Sequence, residues 1–247
     1  VPLKSRLEIL SDESLSRHQS VAIINKLDKH DSHISTKHLG ILTRSDTLDT
    51  FDMTMNQIKK NSIILQNKDG VSHIILNQPD KHNALSPTMI EELSDAFENL
   101  SKDENTRVLI LSANGKSFCA GGDLDWMKKQ IFSDRSTRIK EAKKLAMLLF
   151  KMYNFPKPLI AKVEGNAFGG GIGIISVCDI AVSLDNIKLA LTEAKLGLIP
   201  ATISPYVVLK VGSSNAIDMF TSARTFSPQE GQKIGLIKSY TTSDKID

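Results

Sequence analysis

Two glycine-rich segments, each lying between an apolar run and a helix-prone run, constrain the fold of this chain more than any other feature. They are residues 118–124 and 165–171. Glycine lets a backbone N–H approach a ligand that a side chain would exclude, and the first turn of a helix leaves such N–H groups unpaired. The sequence therefore predicts two turns that bind an anionic oxygen, with Gly122 and Gly170 as donors. The alternative is a pair of tight strand-to-helix turns that bind no ligand.

Strands that alternate with helices indicate an α/β fold with crossover connections. Residues 67–70 predict a hairpin turn, and Ser86 followed by Pro87 is typical of a helix start. The predicted strands are residues 62–66, 71–76, 107–111, 159–163, 180–183 and 188–191. The predicted helices run from Ser86 to about Leu100, over a short stretch from Asp123, and over residues 138–153, 170–177, 207–211, 215–221 and 228–235.

Composition excludes several classes of protein. The chain has 247 residues, 40% apolar and 24% charged, which is typical of a globular protein. A net charge of +3 is too small to favour nucleic-acid binding, and no apolar run is long enough to span a membrane. Cys119 and Cys178 do not form a disulfide framework. We therefore expect no nucleic-acid partner, no membrane partner and a cytoplasmic location, or the mitochondrial matrix if the source is eukaryotic.

Residues 1–60 differ in composition from residues 61–247. The first segment holds nine Lys/Arg, eight Asp/Glu, four of the six histidines and a single glycine. Its apolar residues predict one or two amphipathic helices between Leu7 and Leu27, with weak periodicity. We interpret this segment as an N-terminal extension that is partly disordered. His18, His30, His33 and His38 match no strong metal-ligand spacing, so no metal site is expected there.

Four motifs together resemble those of the crotonase (enoyl-CoA hydratase/isomerase) superfamily. They are residues 118–124, 165–171, 178–181 and 193–200, and the resemblance extends from about residue 61 to the end of the chain. It implies an α/β fold of the crotonase type, a spiral of ββα turns that binds acyl-CoA thioesters. It also implies a homotrimer or a hexamer. No metal or redox cofactor is expected, because coenzyme A enters as part of the substrate.

The same resemblance suggests the site residues. The N–H groups of Gly122 and Gly170 would hold the thioester oxygen, and Glu193 would transfer protons next to it. Trp126 would line the acyl pocket or pack in the core. The residues predicted to bind the substrate or its coenzyme A portion are Lys81, Ala84, Ala120, Gly121, Asp123, Leu124, Trp126 and Gly169.

The catalytic interpretation of Glu193 has an alternative and a complication. The alternative is an exposed glutamate in a first helical turn, stabilised by the helix dipole. The complication is that hydratases of this superfamily use two glutamates, and the position of the first is Gly173 here. One glutamate suffices for an isomerase that moves a proton from C2 to C4. Hydration would need another group to position water, or a carboxylate on the substrate. An apolar pocket would raise the pKa of Glu193.

A finer resemblance concerns the substrate. Residues 199–207 and the Asp125-Trp126-Met127 sequence resemble the methylglutaconyl-CoA hydratase-like branch, which acts in the degradation of leucine and acyclic terpenes. Members of the superfamily continue into C-terminal helices beyond the equivalent of Asp247. The resemblance therefore implies that the C-terminal helical part is truncated, and an inactive family member is a further alternative.

Other candidates have simpler interpretations. Cys119 is expected to be a small buried residue rather than a nucleophile, because no histidine partner is evident. Glu164 and Asp179 are expected to be structural. A nucleic-acid-binding role is disfavoured because residues 91–98 form an acidic segment that would repel phosphate.

Overall fold

The computed structural model describes residues 61–246, which form two β-sheets surrounded by helices. The larger sheet has the strand order β1-β2-β3-β5-β7-β9, and the smaller one has the order β4-β6-β8. The large-sheet strands are β1 (Ile63–Lys68), β2 (Val71–Leu76), β3 (Val108–Ala113), β5 (Leu159–Val163), β7 (Ile180–Leu184) and β9 (Ser239–Thr241). The small-sheet strands are β4 (Ser117–Cys119), β6 (Asn166–Phe168) and β8 (Leu189–Ala190).

All neighbouring strands pair in parallel except the hairpin of β1 and β2. The hairpin turn is shorter than predicted, since Lys68 pairs with Val71 and only two residues connect the strands. Those residues are Asp69, with φ of 53°, and Gly70, with φ of 84°. Two positive φ angles are characteristic of a type I′ turn, which Asp-Gly favours because its twist matches the strands.

Seven α-helices follow in chain order within the described residues. They are α1 (Pro87–Lys102), α2 (Leu124–Ile131), α3 (Arg135–Tyr153), α4 (Gly170–Val177), α5 (Ser204–Val211), α6 (Ser213–Ser222) and α7 (Pro228–Lys233). Helix α1 begins as predicted, because the Ser86 side chain accepts a hydrogen bond from the Met89 N–H and Pro87 occupies the first turn. Helix α2 also begins as predicted, with the Asp123 carboxylate accepting from the Trp126 N–H.

The chain alternates between the two sheets. Strands β3, β5 and β7 belong to the large sheet, and each is followed directly by a small-sheet strand, β4, β6 or β8. The first two of these strand pairs lead into helices α2 and α4, and the third leads into a 3-10 helix, Glu193–Leu196. The predicted α/β fold of ββα turns is therefore present. Because β4, β6 and β8 are parallel neighbours, their carboxyl ends meet at one edge of the small sheet.

The apolar core lies around helix α4. All eight residues of α4 are buried, and α1 contributes an apolar face that includes Met89, Leu93 and Phe97. Alternate residues of β2 and β5 are buried, as expected for strands with one face on the core. Burying these side chains is the main driving force that holds the glycine segments beside the small sheet.

Residues 1–60 lie outside the described part of the chain, as do the helices predicted there, and the domain boundary at residue 60 stays a prediction. Among the described helices, none combines the length and the apolarity that crossing a membrane requires. Strands β4, β6 and β9 were not predicted. Each has three residues, which is too short for an alternating pattern to be recognisable.

Candidate active site

The three strand ends of the small sheet bring the predicted catalytic residues together. Gly122 follows β4, Gly170 follows β6 and Glu193 follows β8. Strand β6 lies between the other two. Segments separated by about 70 residues of sequence therefore meet at one edge of a three-stranded sheet.

The two glycine segments are in contact. A Cβ built on Gly121 would lie 3.4 Å from the Gly170 nitrogen, and a Cβ built on Gly171 would lie 2.5 Å from the Cys119 carbonyl oxygen. Gly121 also has a φ of 97°, in the left-handed region that favours glycine. Side chains at Gly121 and Gly171 would therefore drive the two segments apart.

The N–H groups of Gly122 and Gly170 have no hydrogen-bond acceptor within residues 61–246. The first segment is held by Leu85, whose N–H donates to the Gly121 oxygen at 2.7 Å and whose oxygen accepts from the Asp123 N–H at 3.3 Å. This pairing leaves the Gly122 N–H between them unused. Gly170 is the first residue of α4, where N–H groups have no acceptor inside the helix. Two free donors thus lie on touching segments.

Glu193 is half-buried at the start of the 3-10 helix. Its Oε1 lies 3.0 Å from the position of a Cβ built on Gly169, so the carboxylate faces the second glycine segment. Its Oε2 is buried and has no hydrogen-bond partner among the described residues. Desolvation by burial raises the pKa of the Glu193 carboxyl, and the backbone amides of Glu193 and Thr192 oppose that rise. The carboxylate is therefore not the fully solvated helix glutamate of the alternative interpretation.

A groove with a volume of about 820 Å³ contains all eleven residues predicted from the sequence. They are Lys81, Ala84, Ala120, Gly121, Gly122, Asp123, Leu124, Trp126, Gly169, Gly170 and Glu193. Trp126 is half-buried and lines this groove, and its contact with an acyl group stays a prediction. Sequence reasoning missed several apolar lining residues, namely Met127, Ala142, Leu145, Leu196, Leu198 and Ile203.

A buried asparagine shapes one rim of the groove. The Asn83 side chain donates to the carbonyl oxygens of Asn114 and Ser117, at 2.9 and 2.8 Å, and accepts from the Gln78 N–H at 2.8 Å. These bonds fix the turn that carries Lys81, whose exposed ammonium lies 4.0 Å from the Asp123 carboxylate. The rim therefore offers an exposed cation close to a largely apolar interior.

Comparison with known proteins identifies the family. The sequence model described as enoyl-CoA hydratase/isomerase matches residues 66–247, which is well over half of the chain. The chain belongs to the enoyl-CoA hydratase/isomerase family. The match includes both glycine segments and Glu193.

Relatives within the family are moderately similar. Enoyl-CoA hydratase AKT6-1 of Alternaria alternata is 32% identical over 176 residues, 71% of this chain and 57% of the relative. Hydroxycinnamoyl-CoA hydratase-lyase of Pseudomonas fluorescens is 33% identical over 177 residues, 69% of this chain and 63% of the relative. The chain thus spans less than two thirds of the length of these two curated relatives.

Solved structures of similar proteins show the same fold. An enoyl-CoA hydratase from Shewanella pealeana is 37% identical, with a TM-score of 0.73 over 77% of this chain and 72% of its own. Pseudomonas aeruginosa AtuE is 31% identical, with a TM-score of 0.73 over 75% of this chain and 72% of its own. The crotonase-type fold expected from the motifs is therefore confirmed.

The position of the missing glutamate is filled by another side chain. A Cβ built on Gly173 would lie 2.8 Å from the Cβ of Ile203 and closer still to its Cγ2. Real Cβ atoms do not approach other atoms so closely. With Ile203 in place, residue 173 cannot carry a carboxylate into the groove. Among the described residues, Glu193 is the one glutamate that lines it.

Three other candidates have structural surroundings. Cys119 is completely buried, and burial raises the pKa of its thiol to about 12, which disfavours a nucleophilic thiolate. The Asp179 carboxylate accepts a hydrogen bond from the Leu159 N–H at 2.7 Å. Glu164 pairs with Lys162 at 3.2 Å. None of these three lines the groove.

Proposed function

We propose that this protein is an enoyl-CoA hydratase-type lyase that acts on an acyl-CoA thioester through a stabilised enolate. The observation that carries this proposal is the grouping of two unpaired N–H donors with a desolvated carboxylate that has one unpartnered oxygen. A pair of N–H groups stabilises the negative charge that develops on a thioester oxygen. A carboxylate with a raised pKa is suited to transferring protons next to that oxygen.

The proposed reaction adds water across the C2–C3 double bond. The N–H groups of Gly122 and Gly170 hold the thioester oxygen. The Glu193 carboxylate accepts a proton from water while the water oxygen forms its bond to C3, and the electron pair of the double bond moves toward the thioester oxygen. The enolate then takes the proton from Glu193 at C2, which restores the carboxylate. One carboxylate can therefore carry out both proton transfers of the cycle, while the attacking water is positioned by another group.

The remaining predicted residues have proposed roles in binding. Lys81 is suited to the phosphates of coenzyme A because its ammonium is exposed on the rim of the groove. Ala84 and Ala120 also line the groove, and their small side chains leave space for coenzyme A. Leu124 and Trp126 add apolar surface to the groove. We propose no metal or redox cofactor. Assembly as a trimer or hexamer stays a prediction, which light scattering of the purified chain would test.

3-Methylglutaconyl-CoA is our specific substrate proposal. It rests on the likeness of residues 199–207 and 125–127 to the methylglutaconyl-CoA hydratase-like branch. The carboxylate at the far end of that acyl group would also supply the acidic group that Gly173 cannot provide. A substrate carboxylate could then help to position the attacking water.

An isomerase is the alternative, and the contact between Gly173 and Ile203 favours it. That contact excludes a carboxylate at position 173, and a single carboxylate is sufficient to take a proton from C2 and return it at C4. The double bond would then move while the mass of the acyl group stayed the same.

Mass spectrometry of the products distinguishes hydration from isomerisation. The full chain is incubated with 3-methylglutaconyl-CoA, crotonyl-CoA and a 3-enoyl-CoA. We expect a gain of 18 Da, the mass of one water, with 3-methylglutaconyl-CoA preferred. A shifted double bond at unchanged mass would replace the hydratase with the isomerase. No turnover by a protein that circular dichroism shows to be folded would overturn both and favour an inactive family member.

Glu193→Gln tests the role of the carboxylate. Glutamine keeps the size of the side chain but accepts no proton, so we expect kcat to fall by a factor of about 100 or more. Glu164→Gln is the matched control, because the same substitution there affects a residue that does not line the groove. Full activity of Glu193→Gln would contradict the proposed mechanism.

A further inference from the structure

A single leucine contacts the segments of both proposed oxyanion donors. Leu85 forms an isolated parallel bridge with Gly122, just beyond the end of β4, which is an edge strand of the small sheet. Its N–H donates to the Gly121 oxygen at 2.7 Å, and its oxygen accepts from the Asp123 N–H at 3.3 Å. These two bonds fix the backbone on either side of Gly122. The backbone of Leu85 therefore determines where the Gly122 N–H lies.

The Leu85 side chain lies against the second donor. A Cβ built on Gly170 would lie 2.8 Å from the Leu85 Cδ1 and 3.5 Å from the Gly121 Cα. The end of the leucine side chain therefore fills the corner where the two glycine segments meet. Leu85 is 1% exposed and does not line the groove, so it contacts Gly170 from the side away from the proposed substrate.

Leu85 is itself held in place by its neighbours in sequence. The completely buried Asn83 makes the three side-chain hydrogen bonds that fix the preceding turn. Ser86 follows Leu85 directly and caps α1 through the Met89 N–H. A buried side chain between two such fixed points has little room to move in a close-packed interior. Leu85 can therefore act as a fixed reference for both donors.

Two donors stabilise an oxyanion only when both lie within about 2.7–3.1 Å of the same oxygen. We propose that Leu85 is a positioning residue that sets the separation of the two donors, with its backbone holding the Gly122 segment and its side chain supporting Gly170. This inference rests on the proposed function, because it takes these two N–H groups as the donors. Glycine at position 170 is part of the arrangement, since a Cβ there would collide with Leu85.

The test uses butanoyl-CoA, a saturated thioester that binds without being hydrated. In D₂O, Glu193 takes a proton from C2, the two donors hold the enolate oxygen, and the carboxyl, after exchange with solvent, returns a deuteron to C2. Leu85→Ala keeps the backbone hydrogen bonds but removes the contact with Gly170. We expect the exchange rate at saturating thioester to fall about 10- to 100-fold. The Kd should change little, because the bound thioester carries less charge on its oxygen than the enolate.

Infrared spectroscopy of butanoyl-CoA labelled with ¹³C at the carbonyl detects the donors without any chemistry. Two N–H donors draw electron density toward the oxygen and weaken the C=O bond. We therefore expect a lower C=O stretching frequency in the wild-type complex than for the free thioester in water. In the Leu85→Ala complex the frequency should return toward the value of the free thioester.

Further variants separate positioning from stability. Gly170→Ala keeps the N–H donor and removes no buried atom, but its Cβ meets Leu85, so exchange should slow. Leu85→Ala/Gly170→Ala removes the collision and should exchange faster than either single variant, whereas independent losses would multiply. Leu85→Met has a similar volume and should keep most of the exchange rate. Leu93→Ala is the matched control, because Leu93 is completely buried on α1 and does not line the groove. Its truncation should lower stability without changing exchange or the carbonyl frequency.

The outcomes distinguish this inference from the proposed function. Wild-type exchange and carbonyl frequency in a folded Leu85→Ala protein would overturn the role of Leu85, as would an equal loss in Leu93→Ala. If Leu85→Ala did not fold, unchanged exchange and frequency in Gly170→Ala would overturn it. A wild-type complex with a lowered carbonyl frequency but neither exchange nor turnover would overturn the proposed function alone, and the frequency would still decide the inference. Failure of the wild-type chain to bind butanoyl-CoA, or binding without a lowered frequency, would overturn both.

Discussion

Glu193 loses solvent on folding and gains no partner for its Oε2 within the described residues. Burial therefore raises the pKa of this carboxyl above its ordinary value of 4.5. A general base works only in its ionised form, so we expect kcat/KM to fall on the acid side with an apparent pKa above 4.5. The measurement is a profile of kcat/KM between about pH 4.5 and 8, with folding followed by circular dichroism at each pH. A profile that stayed flat throughout this range would contradict the assignment.

The same carboxyl links activity to stability. Because the folded state binds this proton more readily than the unfolded state, the contribution of Glu193 to the free energy of unfolding decreases as the pH rises through the raised pKa. We expect Glu193→Gln to be more stable than wild type at pH 7, and this advantage to disappear below the ordinary glutamate pKa. Urea unfolding at both pH values tests the sign. Glu91→Gln, at an exposed position on α1, is the control.

Helix α4 and strand β4 approach too closely for any residue but glycine at position 171. A Cβ there would lie 2.5 Å from the Cys119 carbonyl oxygen, a backbone atom that cannot rotate away. We expect Gly171→Ala to cost about 1–3 kcal/mol of stability and to lower kcat/KM, because the two oxyanion donors would be displaced. Gly212→Ala is the control, since it introduces backbone strain at a φ of 79° with no atom within 4 Å. If both variants kept full kcat/KM, the contact would not position the donors.

At the scale of helices and strands, local sequence patterns were sufficient to predict elements whose ends are set by neighbouring residues in the chain. Ser86 caps its own helix, and the predicted bounds of β5 and α4 are those observed. Strands β4, β6 and β8 depend on one another across about 70 residues, and their two or three residues carry too little alternation to be recognised. The sequence suggested a strand near β8 but none at β4 or β6. The small sheet that orders the site was therefore not predictable from local signals.

At the scale of the whole molecule, the eleven residues that the glycine motifs and the family resemblance suggested all line one groove, and their roles in catalysis and binding stay predictions. The fold that joins them was known only through the family resemblance. Ile203 lay within a motif used to suggest the substrate, but its position against Gly173 depends on how α5 packs on α4. Packing between distant elements carries no local signature. Contacts of this kind, rather than the catalytic groups, are what the sequence could not provide.

Substitution of Asp179 tests whether activity in the groove is independent of the contacts that hold the large sheet together. Its carboxylate accepts from the Leu159 N–H, which joins the starts of β5 and β7, and it lies outside the groove. Asp179→Ala leaves this donor without its acceptor, so we expect a loss of about 1–2 kcal/mol in urea unfolding, with kcat/KM unchanged in the folded protein. Asp95→Ala, at an exposed position on α1, should change stability by less than about 0.5 kcal/mol. A fall in kcat/KM without a loss of stability would instead make Asp179 a functional acid. Glu193→Gln should lower kcat by a factor of about 100 or more while raising stability at pH 7. The two variants together would show that separate carboxylates support the fold and the chemistry.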